Sequence, residues 1–194
     1  MPNASAGGWQ WWSFWLQIAV AHWPMFGLVL IALRRNGEDF SSIGLDWGWF
    51  AKHRARLGAI LAVLVAGALA APTFYYGTNV PTHATVIPLL PVTTAQRLFW
   101  IFMSLTAGVV EETIFRGYPF RRLGRVIRNP WLILPITMIA FLFLHGAPRG
   151  WFWAANYLQA GAVFGIAFIL LKLRRLEWLV LAHFLADAVF VLTP

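Results

Sequence analysis

Apolar residues fall in long blocks along this chain, separated by short polar and basic stretches. Crossing the hydrocarbon core of a bilayer takes about 20 apolar residues at about 1.5 Å each. Trp9–Leu33, Leu57–Tyr76 and Trp151–Leu171 meet that length, and Leu98–Phe115 is apolar until it reaches Glu111 and Glu112. Trp131–His145 and Leu176–Leu192 are shorter, which a thinned bilayer or neighbouring helices can accommodate. The pattern predicts an all-α fold, a polytopic transmembrane helical bundle with about six spans.

The stretches between the blocks test that reading. With Met1 outside, the loops Arg34–Arg56, Arg116–Arg128 and Lys172–Arg175 lie inside and hold thirteen of the fifteen Lys and Arg, leaving Arg97 and Arg149 outside. Cytoplasmic loops carry such an excess of positive charge, so both termini are expected outside. Trp9, Trp11, Trp12, Trp100, Trp151 and Trp153 fall near the outer interface, and Trp47, Trp49, Trp131 and Trp178 near the inner one. Interfacial Trp of this kind forms an aromatic belt. Asn36–Phe50, the one substantial polar stretch inside, is expected to lie along the interface. Pro81, Pro88 and Pro91 argue against a long helix in the outer loop Gly77–Gln96. Residues 1–97 hold the N-terminal helices, the inner stretch and the outer loop; residues 98–194 hold the chemistry. Without repeats, the two parts read as one integrated membrane domain.

Composition agrees. The chain is 60% hydrophobic and 11% charged, with a mean hydropathy of +0.67, whereas soluble domains carry about 25% charged residues. A net charge of +8 would point to nucleic acid in a soluble protein. Here the cations sit between apolar blocks, so the partners expected are membrane lipids and a membrane-associated substrate, with no nucleic acid. With no cysteine, disulfides and thiolate metal sites are excluded. No cleavable signal peptide is expected, because Met1–Gly8 lacks Lys and Arg and the apolar stretch behind it is long and Trp-rich. The expected location is the cytoplasmic membrane of a bacterium or archaeon.

Ionisable residues inside apolar spans stand out. Each costs about 2.5–3.5 kcal/mol at the bilayer centre unless a partner, water or metal offsets it. Glu111, Glu112 and Asp187 are three of only seven acids, and His145 and His183 two of five histidines. Glu112 and Arg116 are four residues apart and share a helix face, so an ion pair is sterically available, whether to organise a site or only to close a helix end. Glu111 points about 100° away and is free for chemistry. His183 and Asp187 are also four apart. Two imidazoles, a carboxylate pair and an acid beside one histidine suit activation of water. His22, in the first span, is expected to be a plain interhelical hydrogen bonder.

Glu111-Glu112-Thr113-Ile114-Phe115-Arg116 is similar to the EExxxR motif of the CAAX-processing and bacteriocin-processing (abortive-infection-like) family. Phe141-Leu142-Phe143-Leu144-His145 resembles its FxxxH motif, and His183-Phe184-Leu185-Ala186-Asp187 its HxxxN or HxxxD motif. The resemblance covers about Leu98 to Pro194 and implies an intramembrane endopeptidase. It further implies that Glu111 and His145 hold and deprotonate the attacking water. His183 and Asp187 would stabilise the oxyanion, and Glu112 and Arg116 would organise the site. Many relatives carry Asn at position 187; Asp donates to an oxyanion only when protonated, which deep burial near Glu111 would favour. Glu111, His145 and His183 also form a His₂Glu set of the kind that binds a divalent metal such as zinc. The sequence leaves glutamate-dependent and metal-dependent hydrolysis both open. A non-catalytic scaffold or bacteriocin-immunity protein of the same fold is the alternative. A proton-coupled transporter is a third reading, disfavoured by the lack of an inverted repeat. Depth is a difficulty: at about 1.5 Å per residue, His145 lies about 20 Å from the inner face while Glu111 lies near it. Either Gly117–Asn129 dips into the membrane or the helices tilt strongly.

Overall fold

A computed structural model describes residues 4–52, 58, 66–67, 90–145 and 151–192. Most of the expected span Leu57–Tyr76 and most of the outer loop lie outside the described residues.

Among the described residues every regular element is helical. α1 (Ala4–Arg35) is followed by a 3₁₀ turn (Phe40–Ile43) and short α2 (Trp47–Lys52). α3 (Thr94–Glu112) passes through a π-helical turn (Thr113–Gly117) into α4 (Tyr118–Leu123). α5 (Pro130–His145), α6 (Trp151–Leu170) and α7 (Leu176–Ala188) complete the bundle, and a 3₁₀ turn (Val189–Leu192) extends α7.

α3 starts four residues earlier than its apolar run because of a capping box. The Thr93 hydroxyl accepts from the Gln96 N–H at 3.2 Å, and the Gln96 side chain accepts from the Thr93 N–H at 3.0 Å. At its other end the helix does not stop at Phe115. Thr94–Leu123 is one apolar stretch of 30 residues, and Arg116, expected in an inner loop, is 1% exposed within it. The i,i+4 pairing with Glu112 offsets the guanidinium charge inside the bundle, so the helix continues. This also resolves the depth difficulty. Twelve residues separate Glu111 from Leu123, about 18 Å at ~1.5 Å each, and His145 lies about 22 Å from Pro130. The two arrive at one level.

Gly8–Arg35 and Thr94–Leu123 are long and apolar enough to cross a membrane, while Pro130–His145 and Tyr157–Leu170 are shorter apolar helices. Leu132, Ile136, Ile139 and Phe143 form an exposed row on α5, as do Leu98, Ile101, Phe102 and Leu105 on α3. Rows of large apolar side chains facing outward on several helices call for lipid rather than water around them.

Inside, α3 packs on α1 and most extensively on α7, and α5 packs on α6. Gly108 makes the α3–α7 approach possible: a Cβ there would meet the Val180 carbonyl oxygen at 2.8 Å. Gly161 and Gly165 on α6 face Met138 and Leu134 of α5, so this small-residue pair serves internal packing. The aromatic belt needs correcting. Trp9, Trp47 and Trp131 are exposed, but Trp11, Trp100 and Trp178 are buried and pack inside the bundle. Asn36–Phe50 is likewise more than an interfacial strip, because Ile43 and Leu45 enter the core and the Leu176 N–H donates to the Gly44 carbonyl at 2.7 Å. Glu38 gathers Arg121, Arg122 and Arg125 from α4 and the turn after it. Burial alone would push its carboxyl up, but these guanidiniums outweigh burial and hold it below the usual range.

Candidate active site

The π turn follows directly after Glu111 and Glu112. A single π turn inside an α-helix frequently marks a functional site, and here it begins at Thr113, with Arg116 in the same turn. Glu111 and Glu112 are both buried, the latter 0% exposed.

Three elements converge on Glu111. From α1, His22 Nε2 lies 2.9 Å from Oε1. From α5, His145 Nε2 lies 3.2 Å from Oε2. From α7, His183 Nε2 lies 3.9 Å from Oε2. All three rings turn Nε2 toward the carboxylate because their Nδ1 atoms are engaged elsewhere. His22 Nδ1 sits 2.7 Å from the Ile18 carbonyl and His145 Nδ1 2.9 Å from the Phe141 carbonyl. A carbonyl can only accept, so in both rings Nδ1 carries the proton and donates. His183 Nδ1 sits 2.7 Å from Glu112 Oε1, which also accepts from Arg116 Nη1 at 3.0 Å.

Aromatic rings fix the remaining freedom. The Arg116 guanidinium lies over Phe141 at 4.7 Å and Phe164 at 5.4 Å. Phe164 stacks on His183 at 5.2 Å, and His145 packs between Phe141 and Tyr157. Glu111 Oε2 accepts no hydrogen bond from the protein among the described residues. That is the carboxylate oxygen nearest both His145 and His183.

The structure thus brings together Glu111, Glu112, Arg116, His145 and His183. Asp187 stands apart from the expectation. Its Oδ2 is 3.5 Å from His183 Nε2, and its side chain is 38% exposed. Deep burial near Glu111, the premise for a protonated Asp187, does not hold. Glu112 and Arg116 do pair, but in mid-helix rather than at a helix end. His22, 6% exposed, is the interhelical hydrogen bonder expected of it, but sequence reasoning missed that its partner is the central acid Glu111. The signal was available in principle: a histidine in a span needs a buried polar partner, and few exist. Glu111, His145 and His183 would be the residues to hold a divalent ion. Among the described residues, though, no three His, Asp or Glu side chains are placed to share one ion. A carboxylate between two oriented imidazoles can hold a water, take its proton and pass it on.

Residues 93–189, half of the chain, match the family described as type II CAAX prenyl endopeptidase Rce1-like. No curated protein and no solved structure matches the chain significantly. The match spans α3 to α7 and includes all three motifs, and the chain belongs to the Rce1-like family of type II CAAX prenyl endopeptidases, integral membrane proteases.

Proposed function

We propose that this chain hydrolyses a peptide bond of a membrane-associated protein or peptide, in the manner of a CAAX prenyl protease, using Glu111 as general base. The observation that carries this reading is the Glu111 carboxylate, with one oxygen anchored by His22 at 2.9 Å and the other facing His145 at 3.2 Å. A water bridging Oε2 and His145 Nε2 donates one hydrogen to each. Glu111 takes one proton as the water oxygen attacks the scissile carbonyl. His183 donates Nε2–H to the oxyanion once protonated there, with its Nδ1 proton held by Glu112 and Asp187 close to Nε2. The tetrahedral intermediate collapses as Glu111 returns its proton to the leaving amine. Arg116 pairs with Glu112 and holds it in place. The surrounding bundle has six spans and both termini outside.

The test is a prenylated CAAX peptide presented to the purified protein in proteoliposomes, alongside a comparison of membrane peptides from cells with wild-type protein and with Glu111→Ala. Glu111→Gln keeps the volume and removes the base, so turnover should fall by at least about 10²-fold with folding retained. Near wild-type turnover in Glu111→Gln would refute the base assignment.

A further inference from the structure

The end of the bundle opposite the entry to α3 holds a cavity of about 490 Å³. Its walls come from three separated parts of the chain: the 3₁₀ turn at 40–43, α4 with the turn after it, and the α6–α7 connection. Six cations line it: Arg121, Arg125, Arg128, Lys172, Arg174 and Arg175. The floor is apolar and belongs to the buried core, including Phe120, Ile133 and Phe168.

The charge here does not balance from within. Arg121 and Arg125 share Glu38, and Arg175 lies 3.8 Å from Glu177. Arg128, Lys172 and Arg174 have no ion-pair partner among the described residues. All seven acids of the chain are described. Glu111, Glu112 and Asp187 belong to the site already described, Asp39 caps the 3₁₀ turn, and Asp46 is the one acid lining the cavity.

The wall carrying Lys172 is held under strain. Lys172 and Leu173 both have φ of 57°, a left-handed conformation that side-chain-bearing residues seldom adopt in succession. Gly44 sets the position of that turn: its φ is 89°, and a Cβ there would meet the Leu173 carbonyl at 3.0 Å. Strained backbone clusters where a site is held in shape.

We infer that this cavity binds the phosphate group of an anionic amphiphile, with the phosphate among Arg128, Lys172 and Arg174 and the adjoining carbons on the apolar floor. Its volume suits a headgroup rather than a single ion, and basic pockets between transmembrane helices on the cytoplasmic side take phospholipid headgroups. The same phosphate chemistry could come from a soluble phosphate, and the test separates the two sources.

Full-length protein in neutral detergent is offered phosphatidylglycerol or phosphatidylcholine, and retained lipid is counted by native mass spectrometry. Wild type should retain phosphatidylglycerol preferentially, and Arg128→Gln/Lys172→Gln/Arg174→Gln should weaken retention by more than about tenfold. A control, Arg34→Gln/Arg35→Gln/Lys52→Gln, removes as much charge away from the cavity and should leave retention unchanged. Lys172→Gln alone, on an exposed side chain, covers the case in which the triple variant does not fold, and it should weaken retention measurably. Inorganic phosphate that binds and displaces the lipid would identify a soluble phosphate as the occupant of the same site. Equal losses in the cavity and control triples, or full retention in the cavity variants, would overturn the inference. The readout needs no turnover, so it stands or falls apart from the peptidase reading.

Discussion

Glu111 is a carboxylate held from two sides, and the two contacts differ in what they accomplish. The contact with His145 places an acceptor beside the oxygen that faces His183, whereas the contact with His22 restrains the other oxygen from a helix outside the family match. His22→Phe keeps a ring in the same space and removes the restraint. In the proposed mechanism it should lower kcat by about 10-fold to 10²-fold with little change in KM, because the base is misplaced while the substrate surface is intact. His22→Gln, which can still donate to Oε1, should recover part of that loss; equal kcat in wild type and His22→Phe would remove His22 from the site. Glu112 carries a different burden, since Arg116 and His183 both lean on its Oε1. Glu112→Gln retains an acceptor for His183 but leaves the buried guanidinium without a counter-charge. A loss of about 3–5 kcal/mol is expected from such a change, read as a drop in the thermal or denaturant midpoint in detergent. Glu111→Gln should leave that midpoint much closer to wild type, which separates the structural carboxylate from the chemical one.

At the scale of elements, the site depends on how closely α3 and α7 approach. Gly108 sits one turn before Glu112 and permits that approach, its missing Cβ lying against the backbone of Val180 and Phe184. Gly108→Ala puts a methyl 2.8 Å from the Val180 carbonyl, closer than atoms tolerate, and neither backbone segment can give way as a flexible side chain would. The helices must separate by a few tenths of an ångström. That should cost about 1–3 kcal/mol and stretch the bond from Glu112 to His183, so turnover should fall together with the unfolding midpoint. Unchanged values of both would show that α3 and α7 can slide without disturbing the site. The element boundaries show why local pattern was insufficient here. The motif from Glu111 to Arg116 is plain in the sequence, but hydropathy alone ends the span where charge begins. The paired charges and the π turn carry the helix on to Leu123.

At the scale of the whole molecule, the proposed orientation rests on where the cations collect in the sequence. With Arg116 paired inside the bundle, twelve of the thirteen cations expected on the inner side remain available to set topology, against Arg97 and Arg149 expected on the other. The chain has no cysteine, so single cysteines report cleanly. In intact cells an impermeant thiol reagent should label Ser5→Cys and spare Lys52→Cys. The reverse pattern would invert the proposed orientation and move the cationic cavity to the other face of the membrane.

What the sequence determined by itself was the helical, apolar character of the chain and the chemical identity of most of the site. Both are local properties: a span is a run of apolar residues, and an acid inside such a run stands out because it is costly there. Spacing of four residues further tied Glu112 to Arg116 and His183 to Asp187 on their helix faces. Tertiary structure decided the rest, because those features depend on residues far apart in the chain. His22 meets Glu111 across 89 positions and His183 meets Glu112 across 71, distances over which no pattern in the chain registers a contact. The exposure of Asp187 and the burial of Trp11, Trp100 and Trp178 likewise depend on which neighbours pack against them. The cationic cavity exists only because two cation-bearing segments, α4 with the turn after it and the α6–α7 connection, are drawn together beside the 3₁₀ turn by the apolar core beneath them.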